Sequence, residues 1–211
     1  MSSDSLAEDD ELLERLRLDP DQVLGQEFER HRERLRRMIR VRLDSRLQQR
    51  VDPDDVLQEA FLDVSQRVEH YLKQPSVSLF IWMRSVVEQT LIVVHRRNLG
   101  AQKRDARRDV PLGRSCTTSA SMAGILAGRL TSPSRAAMRG ELIEQLHVAL
   151  EELADLDREI LSLRHFEELS NAEAAEVLSL TPKTASMRYF RALTRLRGVL
   201  ERFPGLLETP S

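Results

Sequence analysis

Apolar side chains recur at three- and four-residue steps through most of the chain, the period of an amphipathic helix, and no run alternates in the two-residue manner of a strand. Leu24, Phe28, Leu35, Ile39, Leu43 and Leu47 fall on one stripe of a long helix whose other faces carry arginines. A second helix opens with Asp52 as N-cap and Pro53 at its first helical position, and its apolar stripe is Leu57, Ala60, Phe61, Val64, Val68 and Tyr71. A third follows Ser76 or Ser78, buries Leu79, Met83, Val86, Val87, Thr90 and Val94, and ends in His95, Arg96 and Arg97. The fold class this predicts is all-α.

The C-terminal stretch is punctuated more sharply. Leu142, Leu146, Leu150 and Leu153 mark one helix, and Leu156, Ile160, Leu163 and Phe166 the next. Ser170 with Glu173 three residues on is a capping box that starts a short helix through Leu178. Thr181 then caps, and Pro182 opens, a last helix running to about Glu201. A short helix, a tight turn and a longer basic helix form a helix-turn-helix. Between the two halves five of the eight glycines cluster from Gly100 to Gly140, around the Ser- and Thr-rich stretch PLGRSCTTSASMAGILAGRLTSPSR. That composition predicts a mostly flexible linker, with Ile125 and Leu126 marking at most a short docking helix. The expected organisation is an acidic extension over 1–20, a helical domain over 21–99, a linker over 100–139, a helix-turn-helix domain over 140–203 and a tail over 204–211.

Composition narrows the class. With 41% hydrophobic and 31% charged residues the chain has enough apolar surface to fold and is too varied to be disordered. The longest aliphatic stretch, Leu91 to Val94, is far too short to span a bilayer, and the acidic start lacks the basic and apolar blocks of a secretory signal. A cytoplasmic location without membrane insertion is expected. Cys116 has no second cysteine, and His31, His70, His95, His147 and His165 have no ligand spacing, so neither a disulfide nor a metal site is expected. Glycine-rich phosphate loops, HExxH and GxSxG are absent, which argues against a familiar enzyme, a cofactor or a small-molecule substrate.

A net charge of −2 conceals alternating blocks: 1–21, 52–70 and 141–179 are acidic, while 26–50, 94–114 and 180–202 are basic. All basic residues but Lys73, Lys103 and Lys183 are arginine, which suits phosphate oxygens and is also what a GC-rich genome would favour. Three constellations follow. On the last helix Ala185, Tyr189, Ala192, Leu196 and Leu200 lie on one side and Thr184, Arg188, Arg191 and Arg195 line up on another, so Lys183, Thr184, Met187 and Arg188 are candidates for base edges and the later arginines for phosphates. The acidic start of the second helix lacks a histidine partner for catalysis and admits two readings, a basic protein partner or the capping of its own helix. On the third helix Trp82, Gln89 and Arg96 stand at seven-residue steps, an arrangement that suits either a stacked single strand or, for Trp82, a place in the core. The basic residues from Arg96 to Arg108 beyond it suit a phosphate backbone. The acidic blocks 1–21 or 141–179 are also expected to pair with basic ones and mask DNA binding in the free protein.

The segments DPDDVLQEAFLDV, FIWMRSVVEQTLIVVHRRN, LADLDREILSLRHFEELSNAEAAEVL and TPKTASMRYFRALTRLR together resemble a small two-domain bacterial sigma factor of the extracytoplasmic-function group, over roughly residues 20 to 202. The resemblance implies a promoter-specificity factor with no active site of its own. Asp52, Asp55, Gln58 and Glu59 would dock on the clamp coiled coil of RNA polymerase. Trp82, Gln89, Arg96 and Arg97 would bind the melted minus-ten element, and Lys183, Thr184, Met187, Arg188, Arg191 and Arg195 the minus-thirty-five element. In this chain Glu88 and Gln89 stand where many members carry Arg-Asn, and Lys183 and Ser186 where Gly and Lys are frequent. Core RNA polymerase and promoter DNA are the implied partners, with an inhibitory anti-sigma protein a further one. The rival reading is an autonomous helix-turn-helix regulator that binds a palindrome as a dimer.

Overall fold

Every element among the described residues is helical, as the periodicity requires. The computed structural model describes residues 3–44, 46–102, 114–130 and 136–202. Its helices are α1 (Ser3–Leu18), α2 (Pro20–Arg42), α3 (Pro53–Lys73), α4 (Leu79–Gln102), α5 (Arg114–Leu130), α6 (Ala136–Glu151), α7 (Asp155–Leu161), α8 (Asn171–Val177) and α9 (Pro182–Leu200), with a wider π-type turn over Ser162–Phe166 directly after α7. They form two compact units, Met1–Arg40 with Leu47–Arg107 and Val41–Arg46 with Arg108–Ser211.

In the first unit the acidic N-terminal stretch is itself a helix, α1, anchored by buried Leu16. The Asp19 carboxylate accepts the Gln22 backbone N–H at 3.1 Å and so satisfies one free donor at the start of α2. Leu24, Leu35, Met38 and Ile39 of α2 are buried, as are Val56, Leu57, Ala60 and Val64 of α3 and Met83, Val87 and Leu91 of α4. Aromatic contacts fix the helix faces: Phe28 meets Phe61 edge-on at 5.0 Å between ring centroids, and the Arg34 guanidinium lies 3.9 Å over Phe80. Asp52 caps α3 as expected, accepting the Asp54 N–H at 2.9 Å, with Pro53 opening the helix. Helix α4 begins after Ser78 and runs past His95–Arg97 to Gln102, because His95 is turned into the protein and the helix has no reason to stop there.

The second unit differs from the linker expectation. The Gly- and Ser-rich stretch contains α5, on which Ser119, Ser121, Met122, Ala123 and Ala127 are buried while Ile125 and Leu126 are only half-buried. Helix α5 lies against α6, and the small side chains of its buried face permit the close approach. The segment Val41–Arg46 belongs to this unit: the Ser121 hydroxyl donates to the Leu43 carbonyl at 2.8 Å. Arg42, almost fully buried, donates to the Glu167 carboxylate at 2.8 Å and to Glu159. Leu146, Leu150, Leu153, Ile160, Leu163 and Phe166 form the core over which α8 and α9 are laid. The expected linker boundaries at 100–113 and 131–139, and the tail from 203, fall largely outside the described residues.

Candidate functional site

The helix-turn-helix is built by its caps. The Ser170 hydroxyl accepts the Glu173 N–H at 3.2 Å while the Glu173 carboxylate accepts the Ser170 N–H at 2.7 Å, the reciprocal box the sequence predicts. Helix α8 ends at Leu178, and Ser179 turns the chain with φ 54°, a left-handed conformation that costs a residue with a Cβ. Thr181 then caps α9, its hydroxyl accepting the Thr184 N–H at 3.2 Å and sharing a hydrogen bond with the Thr184 hydroxyl at 2.8 Å. The Asn171 amide donates to the Pro182 carbonyl at 2.8 Å and ties the starts of the two helices together.

Helix α9 rests on buried Ala185 and Ala192. At 100° per residue the direction opposite these alanines is occupied by Lys183, Met187, Phe190 and Thr194, which lie within about 60° of one another. All four are exposed, as is Arg191 beside them. The expected stripe of Thr184, Arg188, Arg191 and Arg195 runs along the flank between these two directions. There Asp157, 1% exposed, receives Nη1 of Arg188 at 3.1 Å and Nη1 of Arg195. The guanidiniums of Arg188 and Arg195 are thus oriented by a carboxylate of α7, whereas Lys183 and Arg191 make no ion pair among the described residues. Arg202 pairs with Glu152 in the same acidic-to-basic sense. Asp157 and Phe190 escaped the sequence reading: a single aspartate in an acidic block carries no pattern, and Phe190 falls between the two faces by which the helix was divided. On the α7 side Tyr189 donates to or accepts from His165 at 2.8 Å and is covered by Arg164.

In the first unit the acidic block divides by role. Asp52 is spent on its cap, and Asp54 pairs with Arg36 at 2.9 Å and Arg32 at 3.3 Å, a hydrogen bond that raises the Arg32 guanidinium above its ordinary value. Asp55 and Gln58 are exposed on the outer face of α3, with the exposed apolar Leu62 one turn on. Glu59 accepts both Arg97 hydrogen bonds, at 2.8 and 3.1 Å. One residue assigned to polymerase therefore holds one assigned to melted DNA.

On α4 the structure places Trp82, Gln89 and Arg96 on one face, together with exposed Val93. Trp82 is half-buried and stacked on Tyr71 at 4.6 Å with planes 22° apart, so one ring face is taken by the protein. Gln89 accepts from Arg67 at 2.7 Å, and Arg96 is exposed. Arg84 is buried and pairs with Glu88 at 3.5 Å on the same helix.

Residues 143–196, from α6 into α9, match the family described as sigma-70, region 4. The C-terminal helix-turn-helix is thus similar to a sigma-70 region 4. The whole chain aligns with the solved structure of CnrH in complex with the cytosolic domain of CnrY at a TM-score of 0.52 and 19% identity, over 92% of this chain and 98% of that one. At that identity the likeness establishes a common fold. No curated protein matches the sequence significantly. The family match is confined to residues 143–196, and the structural likeness shows the all-α fold expected from the sequence. No helix among the described residues is long and apolar enough to cross a membrane.

Proposed function

We propose that the chain directs core RNA polymerase to specific promoters, with α9 of region 4 in the major groove of the upstream element and α4 against the strand melted at the minus-ten element. The observation that carries this reading is the exposed outer face of α9 in a doubly capped helix-turn-helix that matches region 4. Asp55 and Gln58, exposed and without a side-chain partner among the described residues, are the docking groups for the polymerase clamp. Trp82 offers its free face to a base, and Gln89 and Arg96 lie along the same strip. Polymerase supplies the chemistry. Joining two weak DNA contacts through one large enzyme raises their effective concentration, so neither unit needs to hold a promoter tightly alone. CnrH was solved in complex with the cytosolic domain of CnrY, and a protein partner for this chain, of the anti-sigma kind that the sequence resemblance implies, is part of the proposal.

The test is capture of bacterial core RNA polymerase by the full-length protein at matched salt, wild type against Asp55→Arg with Gln58→Arg. Glu59 is left intact because its pair with Arg97 would confuse the result. Binding by wild type that the double variant loses, with its helicity unchanged, is expected. Absence of core binding by folded wild type would refute the reading. Binding of a palindromic duplex as a dimer without polymerase would favour the autonomous regulator instead.

A further inference from the structure

We infer that Arg67 of α3 sets which bases α4 accepts, by holding the Gln89 amide so that it meets the melted strand with its N–H donors alone. The inference rests on the contact between α4 and the melted strand proposed above. The Gln89 side-chain carbonyl accepts from Nη1 of Arg67 at 2.7 Å. A guanidinium has only donors, so the amide oxygen must be the atom that faces it, and the amide nitrogen is turned away. Gln89 is exposed, and its Nε2 has no partner among the described residues. Arg67 is itself placed from its other end. Its Nη2 lies 3.8 Å from the Asp63 carboxylate, and that carboxylate accepts from the hydroxyl of buried Thr90 at 2.8 Å. A chain of contacts thus runs from the packing of α3 on α4 out to one exposed amide.

The polarity of that amide matters because the bases divide by it. Thymine and guanine carry a keto oxygen at the position where cytosine and adenine carry an amino group. A free glutamine serves either class, since it turns over to offer oxygen or nitrogen. Held by Arg67, Gln89 offers donors alone, so a keto base receives a hydrogen bond and an amino base meets donor against donor. Trp82 and Arg96 on the same strip, an aromatic ring and a cation, suit any base and any phosphate, which leaves the choice between the two classes to Gln89. Arg67 is therefore a positioning residue that acts through Gln89.

Core polymerase loaded with the full-length protein would enrich forked duplexes from a pool randomised over their unpaired strand. The enriched strand would then be resynthesised with 5-methylcytosine for thymine or 2,6-diaminopurine for guanine, one position at a time. Each exchange replaces the keto oxygen by an amino group and keeps the outline of the base. At one position wild type should lose about tenfold in affinity, the equivalent of one hydrogen bond. Arg67→Met should abolish that ratio, Arg67→Lys, which still donates, should keep it, and Gln89→Glu, an acceptor at both oxygens, should reverse it. A merely structural Arg67 would alter affinity for both strands equally and leave the ratio intact in Arg67→Met, which would overturn the inference. So would an unchanged preference in Gln89→Glu. Wild type indifferent to the exchange at every position would overturn it as well, while leaving DNA binding intact. Failure to enrich any strand would instead strike the proposed function, and the inference with it.

Discussion

Asp157 illustrates how one buried carboxylate engages two arginines of α9. It accepts from Arg188 and Arg195, whose side chains are 36% and 60% exposed, while it is itself shielded from water. The two ways of breaking the cluster should therefore differ. Asp157→Asn releases two arginines that solvent can reach, and should cost about 1–2 kcal/mol of unfolding free energy. Arg188→Ala with Arg195→Ala leaves a buried carboxylate without its cations, and should cost about 3 kcal/mol or more. Urea midpoints of the three proteins check the order, and equal losses would mean that Asp157 is not the anchor. A second residue-scale prediction concerns Ser179. Its left-handed φ is costly for any residue with a Cβ, so Ser179→Gly should raise stability by up to about 1 kcal/mol, and Ser179→Val should lower it by a similar amount. Thermal unfolding of the two variants reads this directly.

At the scale of elements, the sequence was informative wherever polarity and caps agreed. The Ser170 box, the Thr181 cap and the Asp52–Pro53 start all stand in the structure because each rests on local hydrogen bonds that need no tertiary context. Helix α5 was not legible for the opposite reason. It buries Ser119, Ser121, Ala123 and Ala127 around Met122, and small side chains on a packed face look like linker composition when read along the chain. Arg42 was hidden within a run of arginines, although its neighbours give it a distinct place beside Glu159 and Glu167. Since Glu167 is 1% exposed, Arg42→Ala removes a buried ion-pair partner from it and should destabilise the second unit by about 3 kcal/mol, a loss visible as a lower urea midpoint. The Glu59–Arg97 pair between α3 and α4 is of another kind. Both partners are well exposed, so a double-mutant cycle with Glu59→Gln and Arg97→Gln should give a coupling of at most about 1 kcal/mol. A contact that weak can give way to DNA or polymerase, and a coupling several times larger would make it structural.

For the whole molecule, the candidate site was legible in its residue types and only partly in their arrangement. The charge blocks located the basic α9 and the acidic start of α3, but which charges are already spent depends on partners distant in sequence, as Asp54 with Arg32 and Arg36 and Asp157 with Arg188 and Arg195 demonstrate. Pairing of acidic with basic blocks thus occurs inside the second unit, where Asp157 engages Arg188 and Arg195 on the flank of α9. The role proposed for this protein is to confer promoter choice on polymerase. The most direct test is transcription in vitro by core polymerase, with and without the full-length protein, on a library of the source organism's DNA, with transcript starts mapped. The account predicts discrete start sites that appear only with the protein and that vanish with Asp55→Arg plus Gln58→Arg. Identical start maps with and without a folded, core-bound protein would contradict it.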